Sequence, residues 1–169
     1  MIDLEPLLIE LSRGGVEFII VGGVAATILG SARVTQDLDV VYARTQENLA
    51  RLAAALAPHR PYLRGAPPGL PFRWDADTLR RGLNFTLTTG LGDLDLLGEI
   101  VGGGGYPELL PHTQAVTLFG HPYRSLGLAK LIQVKRAAGR PKDLEAIAEL
   151  EALREERERP PASNAPEPP

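Results

Sequence analysis

The stretch from Glu17 to Tyr42 constrains the fold more than any other part of the chain. It runs from an apolar, β-prone segment (EFIIV) through a glycine pair and a short helix-compatible segment (VAATIL) to a second β-prone segment (DLDVVY). This order predicts a strand, a tight turn into a helix, and a second strand. Gly22 and Gly23 lie at the turn, where free backbone N–H groups attract anions and glycine lets a phosphate come close. On its own, however, a glycine pair more often marks an ordinary tight turn.

Two aspartates occur two residues apart in the second predicted strand. Side chains at this spacing point to the same face of a strand, so Asp37 and Asp39 are predicted to lie side by side. Carboxylates roughly 6 to 7 Å apart repel by about 2.5 kcal/mol at an effective dielectric constant of about 20. The pair therefore favours a shared proton or a divalent cation, and oxygen ligands beside a phosphate-binding turn favour Mg2+.

A third carboxylate is expected from the segment NFTLTTGLGDLDLLGEI, which contains two short β-prone runs. Asp93 and Asp95 would share one face of the second run. We expect Asp95 to complete the site because it lies deeper in the apolar run, and Asp93 is the alternative if the strand has another register.

Taken together, these residues resemble the polymerase-β-like nucleotidyltransferase superfamily, whose pattern is Gly-Gly or Gly-Ser after a hydrophobic residue, a helix, Asp-x-Asp, and a third Asp on another strand. The segments RVTQDLD, GDLDLLG and SLGLAKLIQVKRAAGRPKDL extend the resemblance to small bacterial nucleotidyltransferases related to abortive-infection type II toxins and to minimal nucleotidyltransferases. It covers roughly residues 15 to 150. The resemblance implies an α/β (α+β) nucleotidyltransferase fold, with a small mixed sheet flanked by helices and a C-terminal helical pair.

The resemblance also implies roles for individual residues. The catalytic residues would be Asp37, Asp39, Asp95, Lys135 and Asp143, of which the first three would bind metal. The nucleotide-binding residues would be Gly22, Gly23, Arg33, Thr35, Lys130, Arg140 and Lys142. The implied reaction is the Mg2+-dependent or Mn2+-dependent transfer of a nucleoside monophosphate from an NTP to a hydroxyl group, with release of pyrophosphate.

Helical periodicity predicts where the side chains of Lys135 and Asp143 point, independently of the resemblance. Lys135 lies seven residues after Leu128 on an apolar stripe, and Asp143 shares a helix face with Ile147, so both charged side chains are predicted to point inward. The alternative is that Lys135 extends to the edge of its stripe and Asp143 only stabilises a helix N-terminus.

Other polar segments also have two interpretations. Arg140 and Lys142 would bind triphosphate oxygens or an RNA backbone, or they would lie at a solvated helix junction. Arg33 and Thr35 would brace the carboxylates, or Thr35 would cap a turn. The Pro- and Arg-rich loop 59–74 is predicted to be a stiffened surface loop, with acceptor binding as the alternative.

The acceptor hydroxyl is the least constrained part of the prediction. The resemblance implies a tRNA 3′ end, a hydroxyl of a partner protein such as a HEPN-type toxin, or a small aminoglycoside-like molecule, and it implies a toxin–antitoxin or defence role with a cognate toxin or antitoxin. The net charge of −3 mildly disfavours long nucleic acids, although residues 120–142 carry six cations and no acid. The alternative function is a catalytically idle nucleotide-binding module that neutralises a partner protein by contact.

Composition indicates one domain with a tail. A chain of 169 residues that is 44% hydrophobic can bury one core, so we predict a nucleotidyltransferase domain at 1–157 and a disordered Pro-rich tail at 158–169. The sequence shows no signal peptide or membrane-spanning segment, and a cytoplasmic protein without a membrane partner is expected. The absence of cysteine excludes disulfides and thiolate metal sites.

The pattern of apolar residues, caps and breakers predicts the order of elements. We expect helices at 4–12, 24–29 and 46–57, strands at 17–21, 37–42 and 115–119, a polar turn at 75–81, two strands within 84–100, and two C-terminal helices. Thr45 is predicted to cap the helix at 46–57 and Ser125 to cap the first C-terminal helix. Gly139 is predicted to end that helix, and Pro141 to begin the next.

Overall fold

The computed structural model describes residues 3–162. The strands in this range are β1 (Phe18–Val21), β2 (Asp37–Tyr42), β3 (Tyr62–Leu63), β4 (Phe85–Thr89), β5 (Gly92–Leu97), β6 (Glu99–Ile100), β7 (Gly104–Gly105), β8 (Thr113–Leu118) and β9 (His121–Leu126). The α-helices are α1 (Glu5–Arg13), α2 (Gly22–Ile28), α3 (Gln46–Leu56), α4 (Ala76–Arg81), α5 (Tyr106–Leu109), α6 (Leu128–Ala138) and α7 (Pro141–Glu158).

Seven of the strands form one mixed sheet in the order β3-β4-β5-β2-β1-β9-β8. β2 pairs antiparallel with β1 and parallel with β5, while β1 pairs parallel with β9. Strands β6 and β7 form a separate short ladder. The predicted α/β class, with a mixed sheet flanked by helices, is confirmed, and the sheet is larger than the expected one.

The two faces of β2 have different chemistry. Leu38, Val40 and Tyr42 are at most 1% exposed and point to one face, where the Tyr42 hydroxyl donates to the carbonyl oxygen of Leu83 just after α4. Asp37 and Asp39 alternate with them and point to the other face, because successive side chains of a strand project in opposite directions. The hydrophobic core on the first face therefore supports a polar site on the second.

Helices cover the sheet in two groups. Helix α3 contacts both α1 and α4, whereas α6 contacts α2 and α7. The predicted C-terminal helical pair is α6 and α7, and both border the face that carries the aspartates. The longer helix, α7, also holds the loop after α2, since Glu149 accepts from the backbone N of Ala32 at 2.9 Å and Arg157 donates to the carbonyl of Leu29 at 3.0 Å.

Most local signals lie where the sequence predicts them. Thr45 caps α3 by accepting from the backbone N of Asn48 at 3.2 Å. Gly139 follows α6 in the left-handed conformation at φ 62°, which explains the requirement for glycine there, and Pro141 is the first residue of α7. These signals depend only on residues within one turn of helix.

Two predictions about elements are wrong. Residues 76–81 form helix α4 rather than a polar turn, because Asp75 caps it by accepting from the backbone N of Thr78 at 2.8 Å. Ser125 does not cap a helix: it is buried in β9, a strand that the sequence analysis does not predict, and α6 begins at Leu128 after Gly127.

Helix α7 ends at Glu158, and the division into a domain at 1–157 and a tail at 158–169 stays a prediction. Residues 160–162 have no regular secondary structure, and the remainder of the predicted tail, 163–169, lies outside the described residues. Within residues 3–162, none of the helices combines the length and the apolar character needed to cross a membrane.

Candidate metal and nucleotide site

Parallel pairing of β2 with β5 builds a cluster of carboxylates. The register places Asp37 opposite Asp93 and Asp39 opposite Asp95, so all four point to the same face. Asp37, Asp39 and Asp95 each offer one oxygen within 4.8 Å of the others. Asp95 rather than Asp93 therefore lies with the aspartate pair, as expected from its deeper position in the strand.

The carboxylates of the cluster are partly buried and lie close enough to repel one another. Burial, followed by the charges of Asp37 and Asp95, raises the pKa of Asp39 from 3.8 to about 7, and the backbone N–H of Gly23 only partly offsets this rise. One buried oxygen, Oδ1 of Asp95, accepts no well-oriented hydrogen bond among the described residues. Such a set requires a proton or a cation, and three half-buried carboxylate oxygens are ligands suited to a divalent metal ion. The three residues could thus hold one.

The glycine turn lies directly against this cluster. A Cβ on Gly22 would lie 2.1 Å from Oδ2 of Asp39, and Gly22 has φ +63°, a conformation that L side chains rarely adopt. A Cβ on Gly23 would lie 2.7 Å from Oγ1 of Thr35. Glycine is required at both positions because the start of α2 must approach the carboxylate strand and the loop before it.

The facing wall of the site comes from the junction of α6 and α7. The carboxylate of Asp143, whose side chain is 3% exposed, accepts from Nε of Arg140 at 2.8 Å, and Nζ of Lys135 lies 3.9 Å from it. Burial would raise the pKa of Asp143, but Arg140 and Lys135 hold it below its ordinary value. Burial also lowers the pKa of Lys135, against the attraction of Asp143. Lys135 and Asp143 thus point inward, as helical periodicity predicts.

These elements enclose a cleft of about 460 Å3. Its lining includes almost every residue that the sequence analysis assigns to the site: Gly22, Gly23, Arg33, Thr35, Asp37, Asp39, Asp95, Lys135, Arg140, Lys142 and Asp143. Lys130 is not among the lining residues, and its amino group donates to Oε1 of Gln133 on the same helix at 3.2 Å. An apolar patch that includes Leu97, Ile100 and Leu131 lies beside the charged groups.

The loop between α2 and β2 is held from both sides. Nε of Arg33 lies 3.1 Å from Glu149 of α7 and an Nη atom lies 3.4 Å from Glu145. The hydroxyl of Thr35 donates to the carbonyl oxygen of Asp37 at 3.0 Å. Thr35 therefore braces the start of β2, whereas the side chain of Arg33 lies at the cleft and pairs with α7.

One residue that contacts the carboxylate cluster is not among the site residues predicted from the sequence. Arg64, just after β3, lies within ion-pair distance of Asp37, Asp93 and Asp95. From the sequence, Arg64 is predicted only to lie in a surface loop, with acceptor binding as the alternative. Its position depends on the pairing of β3 with β4, which involves only Tyr62 and Leu63 of β3. A strand of two residues has no distinctive sequence pattern.

Comparisons with known proteins support the fold at low sequence similarity. No family model matches the chain, and no curated protein matches it with significance. The crystal structure of a "putative nucleotidyltransferase" from Thermotoga maritima superposes with a TM-score of 0.54 at 15% identity, over 90% of this chain and 96% of that one. At this identity the match establishes architecture alone: the chain has a mixed α/β fold similar to that of the Thermotoga protein.

Proposed function

We propose that this protein is a Mg2+-dependent or Mn2+-dependent nucleotidyltransferase that transfers a nucleoside monophosphate from an NTP to a hydroxyl group, releasing pyrophosphate. One observation carries the proposal: three carboxylates from neighbouring strands converge beside a glycine turn, in a cleft whose facing wall carries cations. This combination offers oxygen ligands for a metal and donors for a triphosphate within one site.

Each wall of the cleft has its own task in this proposal. Asp37, Asp39 and Asp95 hold the metal ions, which supply charge neutralisation for the triphosphate and for the departing pyrophosphate. The backbone of Gly22 and Gly23 lies close enough to the cluster to receive a phosphate beside it.

The cationic wall binds the triphosphate oxygens in the same proposal. Lys135, Arg140 and Lys142 supply the positive charge, and Asp143 orients two of them through its contacts with Arg140 and Lys135. Thr35 keeps the first carboxylate strand in place through its hydrogen bond to Asp37. The buried Oδ1 of Asp95, which accepts no well-oriented hydrogen bond among the described residues, is suited to accept the proton of the attacking hydroxyl.

For the acceptor we propose a hydroxyl of RNA, such as a tRNA 3′ end, or of a partner protein, within a toxin–antitoxin or defence role. The cations at the cleft favour a phosphate-bearing or otherwise anionic acceptor, and the patch of Leu97, Ile100 and Leu131 offers apolar surface to a base or side chain. Binding of an RNA acceptor would weaken steeply with added salt, because counterions are released from the backbone.

The test is a transfer assay with purified protein, Mg2+ and each α-labelled NTP, to which total tRNA or cell lysate is added. Asp37→Asn removes one ligand of the cluster and is expected to lower transfer by about a thousandfold, which corresponds to about 4 kcal/mol of lost charge stabilisation. Asp77→Asn is the matched control, because the side chain of Asp77 is exposed on α4, where it pairs with Arg80 and Arg81.

Label on an RNA or protein band that is lost in Asp37→Asn and kept in Asp77→Asn would support the proposal and identify the acceptor class. Near-normal transfer by Asp37→Asn would refute the assignment of the carboxylate cluster. Binding of NTP without transfer to RNA, protein or small hydroxylated acceptors would instead favour an idle nucleotide-binding module.

A further inference from the structure

The guanidinium of Arg64 lies among the carboxylates that are proposed to bind metal. One Nη atom lies 2.9 Å from Oδ1 of Asp95, the other lies 3.3 Å from Oδ2 of Asp37, and Nε lies 3.4 Å from Oδ2 of Asp93. The side chain is 27% exposed, so solvent screens these contacts less than those of a surface pair. A single cation thus faces three of the four aspartates of the two strands.

The backbone and side chain of Arg64 are both anchored. Its backbone N donates to the carbonyl of Thr86 at 3.0 Å, and one Nη atom donates to the carbonyl of Leu87 at 2.8 Å. Both carbonyls belong to β4, the strand next to β5 in the sheet. The guanidinium is therefore directed at the cluster by the edge of the sheet and does not arrive there as a freely moving surface side chain.

The contacts of Arg64 with the carboxylates are spread out and individually imperfect. The strongest arginine–carboxylate pairs place two parallel N–H donors on one carboxylate. Here each carboxylate receives a different nitrogen, and neither Oδ1 of Asp95 nor Nε of Arg64 has a well-oriented hydrogen-bond partner among the described residues. The guanidinium supplies charge to the cluster without satisfying all of its oxygens, which leaves it open to displacement by a divalent ion.

We propose that Arg64 is an internal counter-ion of the carboxylate cluster, which neutralises Asp37 and Asp95 before a divalent cation binds and thereby lowers the affinity of the cluster for that cation. The inference rests on the proposed function in that it takes the cluster as a metal site. Asp93 lies outside the set of three ligands, so it can keep Nε of Arg64 when the other two contacts are given up.

The test is calorimetric titration of nucleotide-free protein with Mn2+ and with Mg2+, in the wild type and in Arg64→Gln. Removing the guanidinium is expected to tighten metal binding by about tenfold or more, since a neighbouring opposite charge typically shifts the pKa of a carboxyl by about 1 to 3. Arg60→Gln is the matched control: it removes the same charge from the same segment, and Arg60 is exposed. Its affinity is expected to stay within about twofold of the wild type, as for a screened surface charge.

Thermal melting in EDTA gives a second readout. Without its counter-ion the metal-free cluster repels itself, so Arg64→Gln is expected to melt lower than Arg60→Gln and to gain more from added Mn2+. Arg64→Lys keeps a charge but loses the fork that reaches Leu87, and it is expected to bind metal with an affinity between those of the wild type and Arg64→Gln. The Lys variant keeps the inference testable if the Gln variant does not fold.

The outcomes separate this inference from the proposed function. Metal binding that is lost in Asp37→Asn but is equal or weaker in both Arg64 variants would overturn the counter-ion role and leave the metal site standing. Metal binding by neither the wild type nor any Arg64 variant would overturn both. Metal binding that is tighter in Arg64→Gln than in the wild type and in Arg60→Gln would support the inference even if no transfer activity were found.

Discussion

At the scale of single residues, the site depends on close approach between a glycine turn and a carboxylate strand. Gly22 leaves no space for a side chain beside Asp39, and Gly23 leaves none beside Thr35. Burial, together with the neighbouring acids, raises the pKa of Asp39, and the backbone N–H of Gly23 offsets only part of that rise. Adding one methyl group at Gly22 should therefore displace the carboxylate of Asp39.

Gly22→Ala is expected to destabilise the protein and to weaken metal binding, because its Cβ would displace the carboxylate of Asp39. Gly120→Ala is the matched control, since Gly120 also has positive φ, +77°, but a Cβ there would meet nothing within 4 Å. Both variants incur the backbone cost of the left-handed conformation, about 1 to 2 kcal/mol. Urea unfolding and metal titration should show a larger loss for Gly22→Ala in both measurements. Equal losses in the two variants would contradict a steric role for Gly22.

At the scale of elements, one buried amide joins α3 to two strands. Asn48 is 0% exposed, and its Oδ1 accepts from the backbone N of Glu17 at 2.7 Å, just before β1. Its Nδ2 donates to the carbonyls of Glu17 and Ala43, the latter just after β2. The side chain thus joins α3 to the start of β1 and the end of β2. The glycine turn and the aspartates lie at the opposite ends of these two strands.

Asn48→Ala is expected to lower the free energy of unfolding by about 3 kcal/mol, because it leaves buried backbone groups without partners. Thr45→Ala removes only the cap of the same helix and should cost about 1 kcal/mol. Urea denaturation measures both. Asn48→Asp should be at least as harmful as the alanine change, since it keeps the acceptor but loses both donated bonds and buries a charge. A loss for Asn48→Ala no greater than that for Thr45→Ala would show that the amide is not a structural tie.

Helix ends are predictable from the sequence, whereas strand β9 is not. Thr45, Gly139 and Pro141 act on the helix turn next to them, so their roles follow from local chemistry. Strand β9 (His121–Leu126) contains a proline and an arginine and lacks a clear alternation of apolar residues. It is a strand because β1, about a hundred residues earlier, and β8 pair with it on either side.

At the scale of the whole molecule, charge in the cluster is linked to stability. The pKa of Asp39 rises from 3.8 to about 7 on folding, first through burial and then through Asp37 and Asp95. Between these pH values the folded protein without metal binds more protons than the unfolded chain, so this contribution to stability is lost as pH rises. A bound metal ion replaces the proton and reverses the dependence, because its ligands must be deprotonated.

The melting temperature of the EDTA-treated protein is expected to fall between about pH 4 and pH 7, and saturating Mg2+ is expected to raise it more at pH 8 than at pH 6. A hundredfold excess over the dissociation constant corresponds to about 2.7 kcal/mol, or roughly 5 to 10 °C for a protein of this size. Asp39→Asn is the control, since it removes the titrating group and should flatten both trends. An equal Mg2+ effect at the two pH values would contradict the link between the cluster and Asp39.

The sequence by itself determined the strand–turn–helix–strand unit around Gly22 and Asp39, the inward positions of Lys135 and Asp143, and the ends of several helices. These features depend on residues that are close in the chain, where alternation, helical period and capping chemistry act directly. It also favoured Asp95 over Asp93, because a deeper position in an apolar run correlates with burial.

Only the tertiary structure decided how distant segments meet. The parallel pairing of β2 with β5 sets which carboxylates face one another, and the edge strand β3 sets the position of Arg64 among them. The insertion of β9 between β1 and β8 likewise enlarges the sheet beyond its sequence signals. Such contacts depend on the register and order of strands far apart in sequence, and local composition does not specify either one.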